Sequence, residues 1–324
     1  MPVESLLKPE DILRARERIR PMVLETPVMT SGVLDELTGA SLFFKCEHLQ
    51  RTGSFKLRGA SHAVSLLGDD CPGVATHSSG NHGAALASAA SQRGFRAEIV
   101  VPEGAVADKV DNIRRRGGRV HFCEPTQAGR EAALARLVEQ GFEPVPPYDD
   151  DRIIAGQGSA ALELMEQVAE LDCIVAPVGG GGLVAGTALA ALTAARPPEV
   201  IGVEPVGADD TARSLAAGRR IDDHHPDTIA DGLRALVGER NLELIRRHVA
   251  CVLTVSEAQI LEAMERIWAR LKQTAEPSGA VALAGVLADP ARFAGRRVGV
   301  MISGGNLDVA ARLAGLAGTA SRPA

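Results

Sequence analysis

Lys56 is the residue of this sequence with the clearest capacity for covalent chemistry. It follows an apolar run at residues 42–49, which predicts a strand, and it lies in the first turn of a helix-like segment that Thr52 or Ser54 can cap. The unpaired N–H groups and the dipole of a helix start disfavour an ammonium, which lowers the pKa of a lysine there. A neutral amine is a nucleophile and can form a Schiff base with an aldehyde cofactor. The alternative is a solvated lysine without a chemical role.

A second polar turn lies at residues 77–83, between a short strand and an alanine-rich helix. It contains Ser78, Ser79, Gly80, Asn81 and His82. Hydroxyl, amide and backbone N–H groups at a helix start form a suitable cradle for a carboxylate. A polar turn with an ordinary serine or asparagine cap is the alternative.

Four consecutive glycines join an apolar strand directly to a helix, and these are Gly179, Gly180, Gly181 and Gly182. Glycine lets the backbone approach an anion closely, and a helix start favours negative charge, so this turn predicts a phosphate site. The Gly-Lys-Ser/Thr ending of a Walker-type nucleotide site is missing. A dinucleotide site stays open because Glu204 stands about twenty residues further on, although the G-x-G-x-x-G spacing is absent.

A fourth glycine-rich segment, residues 302–306, closes a late strand and contains Ser303. This serine can cap the last helix. In a cleft shared with the other segments it can instead reach the ring nitrogen of a cofactor. The residues alone leave both interpretations open.

Composition and charge exclude several classes of protein. The 324 residues are 45% hydrophobic and carry a formal charge of −6, which argues against a nucleic-acid partner. Five scattered cysteines without C-x-x-C spacing, and a start without a basic or apolar leader, lead us to expect a cytoplasmic protein. Residues 173–195 are uncharged, but Pro177 and the four glycines interrupt them, so we expect no membrane span.

Strand-like and helix-like segments alternate along the chain, which is typical of an α/β fold with a parallel sheet and crossover helices. The predicted strands are residues 97–102, 119–122, 173–178, 200–203 and 297–302, and the clearest helices are residues 84–93, 128–139 and 183–195. A domain boundary is predicted near the loop at residues 144–151. Trp268 has apolar neighbours at helical spacing and is predicted to lie in the core.

Taken together, these segments resemble the fold type II pyridoxal-phosphate enzymes of the serine/threonine dehydratase and serine racemase family. The resemblance runs from Thr26 to Asn306, with the motifs in the family's order. It implies two open, twisted, mostly parallel sheets with helices on both faces and the cofactor in the cleft between two domains. The large domain would comprise residues 1–48 plus 149–324 and the small domain residues 49–148, and a homodimer is expected.

The resemblance also implies a role for each motif. Lys56 would hold pyridoxal 5'-phosphate as a Schiff base, with Phe55 beside the ring. The cofactor phosphate would bind to the four glycines, the ring hydroxyl to Asn81, and the ring nitrogen would face Ser303. The substrate would be contacted by Ser78, Ser79, Gly80, His82 and Gly232, and Ser79 matches the acid/base residue on the opposite face in the racemase.

Residues 202–210 resemble the divalent-cation loop of serine racemase and its metal-dependent dehydratase relatives. Glu204 and Asp210 would bind Mg²⁺ (or Ca²⁺ or Mn²⁺) through their carboxylates and Ala208 through its carbonyl, a set of oxygen ligands that suits a hard cation. Without the resemblance, the segment is an acidic surface loop.

The implied activity is conversion of a 3-hydroxy amino acid, such as L-threonine or L-serine, to a 2-oxo acid and ammonia. Racemisation of serine or hydroxyaspartate is the nearest alternative, because Ser79 can serve as the second base. Two interpretations from other classes stay open, an NAD(P)-dependent oxidoreductase and a non-catalytic amino-acid-binding protein.

Overall fold

The computed structural model of the protein describes residues 7–307, which form an α/β fold with two sheets. The helices are α1 Pro9–Ile19, α2 Gly32–Thr38, α3 Lys56–Ser65, α4 Asn81–Gln92, α5 Ala107–Arg115, α6 Gln127–Glu139, α7 Asp151–Gln167, α8 Gly182–Ala191, α9 Asp210–Ala217, α10 Glu239–His248, α11 Glu257–Arg266, α12 Pro277–Ala288 and α13 Pro290–Phe293. The strands are β1 Val28–Met29, β2 Ser41–Lys45, β3 Gly73–His77, β4 Arg96–Pro102, β5 Gly118–Cys123, β6 Glu143–Pro144, β7 Cys173–Pro177, β8 Glu199–Pro205, β9 Cys251–Val255 and β10 Arg297–Met301.

The larger sheet has six strands in the order β1-β2-β10-β7-β8-β9. All neighbouring pairs run parallel except β1 and β2, which are antiparallel. Every residue of β7 is buried, as expected for a central strand that helices cover on both faces. The fold class predicted from the alternating segments is confirmed.

The smaller sheet has four parallel strands in the order β5-β4-β3-β6. All four strands fall within residues 73–144, and the six strands of the larger sheet all lie outside that range. The division into domains at residues 49 and 148 stays a prediction, and this distribution of strands is consistent with it.

A buried ionic network joins α3 to α7 and to the short 3₁₀ helix Glu47–Leu49. The guanidinium of Arg58 lies 2.8 Å from both carboxylate oxygens of Glu47 and donates to Glu163 at 2.7 Å. Lys45 completes the network at 2.9 Å from Glu163. Although burial opposes it, these two cations lower the pKa of Glu163. Because Arg58 lies two residues after Lys56, the network fixes the start of α3.

Three local predictions were wrong. Trp268 is 64% exposed on a short π-helical segment rather than in the core. The strand predicted for residues 42–49 ends at Lys45. Neither Thr52 nor Ser54 caps α3, whose N-cap is Phe55, because Ser54 is drawn into a β-bridge with Gly304. Within residues 7–307, no helix is both long and apolar enough to cross a membrane.

Candidate active site

A cleft of about 890 Å³ opens where β3, β7 and β10 end. All the residues predicted to bind a cofactor or substrate line it, namely Phe55, Lys56, Ser78, Ser79, Gly80, Asn81, His82, Gly179, Gly180, Gly181, Gly182, Gly232 and Ser303. The predicted cation ligands Glu204, Ala208 and Asp210 are not among its lining residues. The fold therefore brings together segments that are far apart in the sequence, and their individual roles stay predictions.

Lys56 is the first residue of α3, and its side chain faces the cleft. Its Nζ donates a hydrogen bond of 2.8 Å to the carbonyl of Pro147 and lies 5.1 Å from the centre of the Phe55 ring. The side chain keeps some accessible surface, but the amine lies deep among protein atoms, and this burial lowers its pKa to about 8. Burial is thus the cause of the shift, where the sequence suggested the helix dipole.

The four glycines form the turn between β7 and α8. Within residues 7–307 the backbone N–H groups of Gly180, Gly181 and Gly182 donate no hydrogen bond, so they are free to bind an anion at the helix start. A Cβ on Gly180 would fall 2.3 Å from the ring of Tyr148, which packs against the turn. The free N–H groups fit a phosphate group, which needs donors, and the contact with Tyr148 gives Gly180 a packing reason to lack a side chain.

The polar turn before α4 presents further donors, because α4 begins at Asn81. The N–H of Gly80 donates to Oγ of Ser78 at 3.4 Å, whereas those of Ser79 and Asn81 have no acceptor within residues 7–307. The buried imidazole of His82 lies 2.9 Å from the carbonyl of Val145, so Nε2 carries the hydrogen. Burial lowers the pKa of His82 to about 3, with a further contribution from Lys56. His82 is therefore neutral and positions the turn without adding charge.

Asn81 and Ser303 face the cleft from opposite sheets. The Nδ2 group of Asn81 donates to Oε1 of Glu276 at 2.7 Å, and its Oδ1 accepts from Asn306 at 2.8 Å. The hydroxyl of Ser303 is buried and donates to the carbonyl of Ser278 at 3.3 Å. The helix that Ser303 was predicted to cap lies outside the described residues.

Gly232 lies on the opposite wall, in the 3₁₀ helix Asp231–Leu233, and its N–H donates to Oγ of Ser278 at 3.0 Å. Beside it, Asp231 forms an ion pair with Lys109 of α5 across the mouth of the cleft. Sequence reasoning missed Glu276, Tyr148 and this ion pair. The glutamate stands just before a Pro-Ser-Gly-Ala helix start, a position that could have drawn attention to it.

The predicted cation ligands are buried residues that lie next to the cleft without lining it. Glu204 and Asp210 are fully buried, and Glu204 accepts N–H groups of Thr211 and Ala212 at the start of α9. Burial, with a contribution from Asp210, raises the pKa of Glu204 to about 8. Within the described part of the chain, Oδ1 of Asp210 accepts no hydrogen bond, and Nδ1 of His224 lies 3.4 Å from it.

Two adjacent buried carboxyl groups with an unsatisfied oxygen fit a cation. Among the described residues, however, no group of three or more His, Cys, Asp or Glu side chains is arranged to hold a metal. Because the carboxylate of Glu204 is buried against a helix start, it is not accessible to a ribose, which counts against the dinucleotide interpretation.

Comparison with known proteins places the chain in a family. The family described as "Pyridoxal-phosphate dependent enzyme" matches residues 19–304. The chain is 48% identical to the beta-hydroxyaspartate dehydratase of Paracoccus denitrificans over 93% of this chain and 96% of that protein, and 46% identical to the serine racemase of Arabidopsis thaliana over 92% of each.

Among solved structures, the serine racemase of Dictyostelium discoideum superposes with a TM-score of 0.89 at 44% identity, covering 93% of this chain and 99% of that chain. The cleft with its buried lysine and free glycine N–H groups agrees with these likenesses. The chain belongs to the pyridoxal-phosphate dependent enzyme family, with the fold of its type II members and with lyase and racemase homologues.

Proposed function

We propose that this protein is a pyridoxal-phosphate-dependent dehydratase that converts a 3-hydroxy amino acid to a 2-oxo acid and ammonia. One observation carries the proposal: a lysine amine with a lowered pKa opens on the same cleft as the glycine turn and the start of α4. A nucleophilic amine, a phosphate cradle and a carboxylate cradle are the three parts that this chemistry needs.

Each of the cofactor's polar groups has a proposed partner in the cleft. Lys56 would hold the aldehyde carbon, the N–H groups of residues 180–182 the phosphate, and Asn81 the ring hydroxyl. When bound, pyridoxal phosphate supplies the electron sink that lets a proton leave the substrate Cα. The protein supplies orientation, charge and the groups that accept and return that proton.

Lys56 is the proposed general base once the amino group of the substrate has replaced it on the aldehyde carbon. Its lowered pKa of about 8 keeps a useful fraction of the amine neutral near physiological pH, so Nζ can accept the Cα proton. The carbonyl of Pro147 holds Nζ in place at 2.8 Å. The proton taken from Cα is then at hand on the same nitrogen for the departing hydroxyl group. The turn at residues 78–82 would bind the substrate carboxylate through its hydroxyl and backbone N–H groups.

Two features favour dehydration over racemisation. Ser303 offers the ring nitrogen a neutral hydroxyl, which cannot stabilise a positive charge there as a carboxylate would, so a long-lived carbanion is disfavoured. Loss of the β-hydroxyl relieves the negative charge at Cα, because the electron pair of the broken C–O bond leaves with the oxygen. In addition, the side-chain hydrogen bonds of the described turn involve Ser78, Asn81 and His82, and none activates the hydroxyl of Ser79.

A substrate panel tests the proposal. L-serine, L-threonine and 3-hydroxyaspartate are each assayed for 2-oxo acid and ammonia, and we expect production that Lys56→Ala abolishes. 3-Hydroxyaspartate belongs in the panel because the Paracoccus relative is named for it. Unchanged turnover in the Lys56→Ala variant would refute the assignment.

Racemisation of serine or hydroxyaspartate is the second candidate, and the Arabidopsis and Dictyostelium relatives named serine racemase support it for serine. Chiral analysis of recovered substrate separates the two activities. Exchange of the Cα hydrogen in deuterated water would exclude a protein that only binds amino acids. We also propose a homodimer, to be checked by light scattering.

We further propose that Glu204, Asp210 and the carbonyl of Ala208 bind Mg²⁺ or a similar divalent cation. The support is the buried pair of carboxyl groups and the unsatisfied oxygen of Asp210. A cation there would be held by residues that do not line the cleft, so its contribution would be to stability and to the position of neighbouring segments, His224 among them. Titration with Mg²⁺ after chelation, followed by thermal unfolding, tests this.

A further inference from the structure

Glu276 is a nearly buried carboxyl group at the edge of the catalytic cleft. It is the N-cap of α12, 6% exposed, and its backbone N–H donates to the carbonyl of Gly304 at 3.1 Å. The approach is so close that a Cβ on Gly304 would fall 2.2 Å from Oε1 of Glu276. The carboxyl group thus lies against the segment after β10, on the side where Asn81 reaches it.

A chain of hydrogen bonds fixes the orientation of the Asn81 amide. Asn306 donates one Nδ2 hydrogen to the carbonyl of Thr52 at 2.9 Å and the other to Oδ1 of Asn81 at 2.8 Å. A carbonyl can only accept, so Thr52 determines which way the Asn306 amide faces. At the other end, Nδ2 of Asn81 donates to Oε1 of Glu276 at 2.7 Å.

The orientation of Asn81 has a chemical consequence. The Oδ1 atom is engaged by Asn306, and one of the two Nδ2 hydrogens is engaged by Glu276. The remaining group is the second Nδ2 hydrogen, which is a donor and suits an anionic oxygen. If the amide were reversed, it would present a carbonyl oxygen and repel that anion.

We propose that Glu276 is a positioning residue, which acts through Asn81 to direct an N–H donor at the ring oxygen of the cofactor. This rests on the proposed function, because Asn81 must lie beside that ring. Oε1 accepts a hydrogen bond whether the carboxyl group is ionised or neutral. That matters here, since burial, together with Asp231, raises the pKa of Glu276 to about 7, while Lys109 opposes the shift.

The test compares two variants of the holoenzyme. Glu276→Gln keeps an acceptor oxygen in a side chain of the same size, and Glu276→Leu keeps most of the volume without an acceptor. The readouts are the ratio of the visible to the near-ultraviolet absorption band, which reports the proton on the ring oxygen, and the rate of cofactor release. We expect the leucine variant to shift the band ratio and release cofactor roughly tenfold faster or more, as for a lost hydrogen bond to a charged group. The glutamine variant should stay within about threefold of wild type.

A cycle with Asn81→Ala separates positioning from general packing. If Glu276 acts through Asn81, Glu276→Leu adds no further change in band ratio or cofactor release once Asn81 is gone. An equal added effect in that background, or a folded leucine variant with a wild-type spectrum, would overturn the inference. Should the leucine variant not fold, the exposed substitution Asn306→Ala must shift the band ratio in the same direction, and an unshifted spectrum there refutes the chain of hydrogen bonds.

Failure of the proposed function would look different. In that case the wild-type protein itself would show no absorption band from a cofactor bound to Lys56, and borohydride would leave no label on that residue. If the wild-type protein shows both signatures but the Glu276 variants change neither the band ratio nor the rate of cofactor release, only the positioning role is refuted.

Discussion

The lowered pKa of Lys56 predicts that its amine titrates near pH 8 in the cofactor-free protein. The perturbation is pH, varied from about 6 to 11 to span both this pKa and that of an ordinary lysine. At pH 7.5 a pKa of about 8 leaves roughly a quarter of the amine neutral, against roughly 0.1% for an unperturbed lysine. The difference arises from burial, because no charged neighbour contributes to the shift.

Competitive labelling measures this pKa directly. The cofactor is removed, the protein is treated at each pH with a trace of an amine-acylating reagent, and the label on the Lys56 peptide is quantified by mass spectrometry. The same peptide in urea-unfolded protein is the matched control. We expect the labelling rate of the folded protein to level off above about pH 8, while that of the control keeps rising towards pH 10. Coincident curves would refute the argument that burial activates this amine.

Three further predictions follow from the packing and the buried charges. Gly180→Ala should weaken cofactor binding severely, because its Cβ would fall 2.3 Å from the Tyr148 ring. Gly182→Ala is the matched control, since a Cβ there would come no closer than 3.5 Å to Tyr148. Equal cofactor affinities in the two variants would contradict the steric argument. Arg58→Leu should lower the free energy of unfolding in urea by about 3–5 kcal/mol, because the buried carboxylate of Glu47 loses its cation and that of Glu163 keeps only Lys45. The exposed Arg51→Leu should change it little. Without a cation, burial raises the pKa of Glu204 to about 8 in the folded protein, so the carboxyl group is neutral there at pH values where the unfolded chain is already ionised. The free energy of unfolding is therefore highest below the unfolded pKa of Glu204 and falls as the pH rises from there to about 8. Mg²⁺ should therefore raise the melting temperature more at pH 8 than at pH 6.5, and Glu204→Gln should remove that dependence.

The sequence was sufficient to predict the turns that carry reactive or anion-binding groups, because each of them is formed by residues that are consecutive in the chain. Lys56 at the start of a helix and the four glycines between a strand and a helix follow from residue type and spacing, and the cleft contains both. The class of fold also follows, since buried parallel strands are continuous apolar runs.

What the sequence could not give depends on contacts between distant segments. Glu276 lies 195 residues from Asn81 in the chain, and no local pattern links them. Trp268 has apolar neighbours at helical spacing, as a core residue would, yet its side chain lies on the solvent-exposed face of the helix. The caps proposed for α3 failed for the same reason, because Ser54 pairs with Gly304 from the far end of the chain.

The position of β10 constrains how the protein can be made. Its register pairs Arg297 with Ser41 on one side and Val298 with Cys173 on the other, so β10 lies between strands that were synthesised much earlier. On the ribosome, β2 and β7 each keep one unpaired backbone edge until β10 emerges, whereas β3 to β6 have all their partners in the smaller sheet by residue 144. The smaller sheet can therefore assemble first, and the larger one closes last. Nascent chains that stop short of β10 would expose unpaired apolar edges and depend on chaperones.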